Sequence, residues 1–207
     1  MTITSIILVL LIGYIFGCFQ TSYFISMKFK NKDIRDIGSG NAGASNITSE
    51  MGWAFGILTG FCDILKAYLP VKIIIIIFTN PLYQLDYMIL AGTGAILGHI
   101  FPFFMNFRGG KGIACYIGML IGVDWQIGLL AGGLIIILTI ITDFIAVGSI
   151  SLYVIMPIFA YYNGNSNIII ICSIILFLVG IIKHWINIQR ILNGNEKGLR
   201  TVIYKND

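Results

Sequence analysis

The first 27 residues of this chain, Met1–Met27, contain no Asp, Glu, Lys or Arg. An uncharged, mostly apolar stretch of that length meets the roughly 20 residues a helix needs to cross a bilayer core. The feature recurs. Gly52–Thr79 and Ile168–Ile182 are comparable runs, and Tyr87–Gly98, Ile113–Val123, Ile127–Thr142 and Phe144–Ala160 are shorter stretches of the same chemistry. Apolar residues make up 57% of the 207 and charged residues only 11%, far from the balance of a soluble domain. Helices that are hydrophobic on every side, rather than along one stripe, are buried or face lipid. The sequence therefore predicts an all-α integral membrane protein of about seven transmembrane helices. A single domain over 1–207 is expected, since no linker is long enough to separate a second.

The cations orient it. Of thirteen Lys and Arg, eleven fall in segments that one topology puts on a single side: Lys28, Lys30, Lys32 and Arg35, then Arg108 and Lys111, then Lys183, Arg190, Lys197, Arg200 and Lys205. Lys66 and Lys72 lie inside the second run, and the opposite loops around Asp86, Asp124 and Asn163–Asn167 have none. The positive-inside bias then gives an N-terminus outside and a cytoplasmic C-terminus. Met1–Ser5 carries no cation and no small-residue cleavage site follows, so the first run is expected to be an anchor, not a signal peptide. Cys18, Cys62, Cys115 and Cys172 sit in separate apolar runs without metal spacing, so no metal site is expected. No basic stripe is interleaved with exposed aromatics, which argues against nucleic acid as a partner. No inverted repeat and no polar path across the bilayer support a transporter.

Two glycine-rich loops carry the chemistry: Gly38-Ser39-Gly40-Asn41-Ala42-Gly43-Ala44-Ser45-Asn46 and Arg108-Gly109-Gly110-Lys111-Gly112. Each precedes a helix on the cationic side, where free N–H groups and the positive dipole end favour an anion. Glycine allows close backbone approach and successive N–H groups form anion nests. Lys111 adds a point charge. Lys111 is followed by Gly112 and not Ser or Thr, so a Mg-nucleotide loop is not indicated. Asp63 and Lys66, three apart, share a helix face and are expected to pair as structural support. His184 and Asn187 share a face at the cytoplasmic end of the last run, and His99 beside Pro102 is expected to brace the second loop.

Three motifs in order, Gly-Ser-Gly-Asn-x-Gly-Ala-Ser-Asn (38–46), Gly-His-x-Phe-Pro-x-Phe-x-x-Phe-Arg-Gly-Gly-Lys-Gly (98–112) and His-x-x-Asn-Ile-x-Arg-x-x-x-Gly-x-Glu (184–196), resemble the bacterial acyl-phosphate:glycerol-3-phosphate acyltransferase family, the PlsY type. The resemblance spans nearly the whole chain. It implies a seven-helix enzyme of the bacterial cytoplasmic membrane, its active site on the cytoplasmic side, with no cofactor, no metal and no obligate protein partner. Its substrates would be acyl phosphate and glycerol 3-phosphate, and its products lysophosphatidate and phosphate, in phospholipid synthesis within a lipid membrane. Carried over by position, Ser39, Lys111, His184 and Asn187 would be catalytic. Gly38, Gly40, Asn41, Gly43, Asn46, Arg108, Gly109, Gly110 and Gly112 would bind substrate. Acyl phosphate is already activated, so orientation and charge stabilisation are the main tasks. The hydroxyl proton has two candidate acceptors, His184 and the substrate's own phosphate. The residues five after His99 and His184 are Phe104 and Gln189, so the His-x-x-x-x-Asp motif of acyl-CoA-dependent enzymes is missing.

The chain departs from the family pattern at two places. Ser49 stands where an Arg is usual, and Ala146 where a Ser opens the sixth span; Ser45 replaces a Thr but keeps the hydroxyl. A phosphate-facing Arg makes a charge-assisted bond of about 1.5–3 kcal/mol. Losing it weakens binding roughly ten- to a hundredfold unless another group compensates, with Ser149 and Lys66 as candidates. The alternative expectation is a divergent paralogue of low or no activity that binds phosphate or lipid.

Overall fold

The computed structural model describes residues 1–204 and is helical, with no strand among those residues. Lys205, counted above with the cytoplasmic cations, lies outside the described residues. The helices are α1 (Ile3–Cys18), α2 (Thr21–Lys30), α3 (Ala44–Met51), α4 (Trp53–Ile77), α5 (Gln84–Ile100), α6 (Ile113–Val123), α7 (Trp125–Thr142), α8 (Ile145–Tyr162), α9 (Asn167–Leu192) and α10 (Leu199–Tyr204), with single 3-10 turns at Ile34–Asp36, Pro81–Tyr83 and Phe103–Met105. Among the described residues, five stretches are long and apolar enough to cross a membrane: Ile3–Lys30, Pro81–Met105, Trp125–Thr142, Ile145–Tyr162 and Asn167–Leu192. Helix α4 has 25 residues but carries Asp63, Lys66 and Lys72, and α6 has only 11.

Two local features differ from the sequence expectation. The first apolar run is not one helix: it breaks at Phe19 and Gln20, where Phe19 adopts an extended conformation. The break is held by buried polar contacts that periodicity does not reveal. Lys66 Nζ donates to the Phe19 carbonyl at 2.6 Å, and Gln20 Nε2 donates to the carbonyls of Gly17 (3.3 Å) and His99 (3.0 Å). Nor does the first glycine cluster lead directly into the second apolar run. The short α3 intervenes, and Gly52, at φ 94°, turns the chain from α3 into α4.

The chain forms two compact units, Met1–Gly128 and Leu129–Asp207. In the first, α1 and α5 meet through small residues on both sides. A Cβ at Gly13 or Gly17 would fall 1.9 Å from the Ala91 carbonyl oxygen or 2.0 Å from that of Ala95. Gly94 and Gly98 stand equally close to the carbonyls of Leu10 and Tyr14. Where lipid tails are as apolar as leucine, such close backbone packing is what joins helices. Helix α6 runs against α4 in the same way, with Gly118 on the Ile64 carbonyl and Gly122 on Val71. In the second unit Gly180 of α9 seats the Tyr153 ring of α8, and Gly148 of α8 meets Ile135 and Thr139 of α7. Asp143, at φ 67°, ends α7 and anchors α10 by accepting from the backbone N–H groups of Leu199 (2.7 Å, carbonyl) and Arg200 (2.9 Å, carboxylate).

Candidate active site

The first glycine loop is shaped by one amide side chain. Asn46, on the first turn of α3 and buried, accepts from the Ser39 N–H at 2.8 Å and donates to the carbonyls of Ile34 (3.1 Å) and Ile37 (3.0 Å). Gly38 and Gly40 take left-handed conformations at φ 59° and 73°. A Cβ on Gly38 would also strike the Asn46 amide oxygen at 2.2 Å. Ser39 is thereby left exposed at the loop tip. The sequence expected Asn46 among the substrate-binding groups. Its carbonyl oxygen and both of its N–H donors are engaged in the loop, so it acts on Ser39 through the backbone.

The second loop folds back onto the end of α5. Helix α5 stops at Ile100, two residues before Pro102, and the N–H groups of Gly109 and Gly110 donate to the carbonyls of Ile100 (3.0 Å) and His99 (3.1 Å). These two amides, expected to face a phosphate, are therefore used to close the turn. The start of α6 opens at Gly112 (φ 85°) with no side-chain cap. Its first-turn N–H groups have no intrahelical acceptor, the kind of helix end that suits an anion, and Lys111 precedes it in the chain. Helix α3 likewise begins at Gly43 without a side-chain cap. Arg108 is exposed and makes no ion pair among the described residues.

The structure brings the two loops together. A Cβ on Gly110 would lie 2.8 Å from the Ala42 carbonyl oxygen and 2.2 Å from His99 Nε2. Ile34, Ala42 and Ile47 from around the first loop share one buried apolar cluster with Met105 from the second. Arg35 crosses between them: it grips Asp33 at 2.6 Å and donates to the Met105 carbonyl at 2.7 Å. Hydrogen bonds from Arg35 hold the Asp33 carboxyl below its usual value, and Asp33 in turn raises the guanidinium.

Beneath the second loop lies a polar cluster whose full extent the sequence did not reveal. Lys66 Nζ stands 2.8 Å from Asp63 Oδ1 and 2.7 Å from His99 Nδ1, besides donating to Phe19, and all three side chains are buried. The expected Asp63–Lys66 pair is present, and His99 completes it from α5. Only the i,i+3 spacing was visible in advance, because His99 is 33 residues from Lys66. Cys115 also approaches, so that ligand atoms of Asp63, His99 and Cys115 lie within 4.8 Å of one another. The Lys66 ammonium already sits against two of these three groups and repels a second cation, so the cluster reads as a completed charge network. It also removes Lys66 as a substitute for the Arg that Ser49 replaces.

In the second unit, His184 and Asn187 lie one turn apart on α9. His184 is buried, and its Nδ1 lies 2.9 Å from the Gly180 carbonyl, with the Tyr153 ring centroid 6.0 Å away. A carbonyl only accepts, so Nδ1 carries a proton toward Gly180. Asn187 Nδ2 donates to Glu196 at 2.6 Å, which ties the end of α9 to the following turn. Ser149, the other candidate substitute, is buried and its hydroxyl donates to the Ile145 carbonyl of its own helix.

A family model described as glycerol-3-phosphate acyltransferase matches residues 7–194. The chain is 38% identical over 200 residues to glycerol-3-phosphate acyltransferase 1 of Oceanobacillus iheyensis, covering 94% of this chain and 95% of that protein. It is similar to two crystal structures of PlsY (YgiH), an integral membrane glycerol 3-phosphate acyltransferase. The glycerol 3-phosphate form aligns with a TM-score of 0.83 at 28% identity, covering 94% of this chain and 95% of that one. The lysophosphatidic acid form aligns with a TM-score of 0.78 at 26% identity, covering 97% and 99%. The chain belongs to the glycerol-3-phosphate acyltransferase family.

Proposed function

We propose that this chain, a multi-pass membrane acyltransferase of phospholipid synthesis, uses acyl phosphate as donor and glycerol 3-phosphate as acceptor. The acceptor's 1-hydroxyl oxygen attacks the acyl carbonyl carbon, and the carbon–oxygen bond to phosphate breaks. Phosphate departs with the electron pair, and the ester formed is lysophosphatidate. The observation that carries this reading is the junction of the two glycine loops, where Gly110 meets the Ala42 carbonyl, with Lys111 and the uncapped start of α6 next along the chain. Two anionic substrates need such a concentration of donors, which also steadies the charge that develops on the carbonyl oxygen.

In this reading Gly38, Gly40, Gly109 and Gly110 give the loops their close approach. Gly112 opens the anion-binding end, and Asn41, Gly43 and Arg108 line it. Asn46 presents Ser39, His184 and the substrate's own phosphate are the two candidate acceptors of the hydroxyl proton, and Asn187 holds the end of α9. The whole of 1–207 acts as one catalytic domain with seven crossings, α4 and α6 joining the five apolar stretches. Eleven cations on one side support an outside N-terminus and a site facing the cytoplasm of a bacterial cell.

Complementation of a bacterial strain lacking its own acyl-phosphate-dependent enzyme tests the assignment, with Ser49→Arg beside the natural chain. Rescue by both is expected, because Arg108 and Lys111 supply positive charge at the loops. Rescue by neither, with both proteins present in the membrane, would overturn it.

A further inference from the structure

The far end of the first unit holds a second polar recess that acyl transfer does not use. Gly122 of α6 lies against Val71 and the Tyr68 carbonyl of α4, so α6 finishes level with about residue 72. Helix α4 continues to Ile77, roughly 8 Å further at 1.5 Å per residue. The step between them is a cavity of about 470 Å³, lined by Tyr68, Lys72, Asp124, Trp125 and Gln126 among others. Ile76 and Ile77, beyond Lys72, are 76% and 56% exposed, as expected of lipid-facing positions. Lys72 therefore sits below the apolar rim of α4.

Its partners are few. Among the described residues Lys72 makes no ion pair, and its ammonium lies 5.8 Å from the Tyr68 ring centroid. Asp124 caps α7 through one oxygen, accepting from the Gln126 N–H at 2.8 Å. A cation and a carboxylate thus flank one recess without pairing to each other, beside Trp125, which is 61% exposed. Ionisable groups at membrane depth are costly unless paired, and Trp and Tyr mark headgroup level. A bare phosphate would satisfy Lys72 but be repelled by Asp124. A zwitterion satisfies both.

We propose that this recess binds the headgroup of a membrane phospholipid bearing both a phosphate and a primary amine, with the phosphate on Lys72 and the ammonium on Asp124. Phosphatidylethanolamine has that chemistry. The site lies at the opposite end of α4 and α6 from the glycine loops and is independent of the acyl-transfer assignment.

The test is lipid binding to the full chain in detergent, by native mass spectrometry, with short-chain phosphatidylethanolamine, phosphatidylglycerol and inorganic phosphate. The wild type should prefer phosphatidylethanolamine over phosphatidylglycerol. Lys72→Met should bind it about tenfold more weakly, the loss of one charge-assisted contact. Asp124→Asn keeps the cap and should erase the preference, while both variants retain acyltransferase activity. Equal lipid affinity in wild type and Lys72→Met, a wild-type preference for phosphatidylglycerol, or inorganic phosphate competing the lipid away at equal concentration would overturn the proposal. Should Lys72→Met not accumulate, hydrogen exchange on the wild type decides: phosphatidylethanolamine should protect amides 124–127, and unchanged exchange there would refute it.

Discussion

At the residue scale, Gly110 sits where the two glycine loops meet and has no room for a side chain. Its neighbours, His99 Nε2 and the Ala42 carbonyl, would stand 2.2 and 2.8 Å from an added methyl. His99 cannot swing away, because its Nδ1 is held by Lys66. Gly110→Ala should therefore push the loops apart. Thermal unfolding should show a loss of about 1–3 kcal/mol, the usual cost of overpacking, and KM for glycerol 3-phosphate should rise more than kcat falls. A second prediction concerns Asp33, whose carboxyl Arg35 holds below its usual value. A depressed carboxyl stabilises the fold at pH values above about 4, where the unfolded group is ionised. That contribution fades as pH falls through the lower folded value. Asp33→Asn keeps an acceptor for the Arg35 N–H and removes only the charge. The pair is partly exposed, so the variant should lose at most ~1 kcal/mol at pH 7 and match the wild type in stronger acid. A constant deficit across pH would contradict the charge pairing. These contacts show what the sequence withholds at this scale. The tight turns of the first glycine loop were legible because glycine advertises its conformational freedom locally, as Gly38 and Gly40 show. That the amides of Gly109 and Gly110 serve the turn was not, because hydrogen bonds back to Ile100 and His99 depend on where Pro102 bends the chain.

At the scale of elements, the Lys66 network joins α4, α5 and the break between α1 and α2. Spacing within α4 revealed Asp63 and Lys66. The break at Phe19 and Gln20 was hidden, since Met1–Met27 carries no charge to mark an interruption and only the distant Lys66 gives the Phe19 carbonyl its donor. Removing one member of a buried charge pair leaves the other uncompensated, which typically costs about 3–5 kcal/mol. Lys66→Met should destabilise by that order in chemical denaturation and disturb the second loop through His99. The double variant Asp63→Asn with Lys66→Met should recover a substantial part of the loss. If the double variant is no better than Lys66→Met, charge pairing is not what the cluster contributes. The α1–α5 contact was only half legible: the four-residue spacing of Gly13 and Gly17 and of Gly94 and Gly98 is plain in the sequence, but not that these pairs face each other.

At the scale of the molecule, the helical class and membrane setting followed from long, mostly apolar runs, because the bilayer imposes length and backbone pairing more strictly than water does. The short α3 escaped notice as a distinct element, since packing against α4 fixes it and neither length nor periodicity does, whereas the run Ile113–Val123 appears as α6 with the same bounds. In the proposed reaction, two glycine loops that meet hold two phosphorylated reactants near Lys111. The direct measurement is lysophosphatidate formation by the purified chain in detergent from glycerol 3-phosphate, with acyl phosphate or acyl-CoA as donor. The account predicts product from acyl phosphate and not from acyl-CoA. It also predicts that a folded Lys111→Ala variant is slower by about a hundredfold or more, the scale for loss of one charge-stabilising donor. Product from acyl-CoA at an equal rate, or a Lys111→Ala variant as active as the wild type, would contradict it.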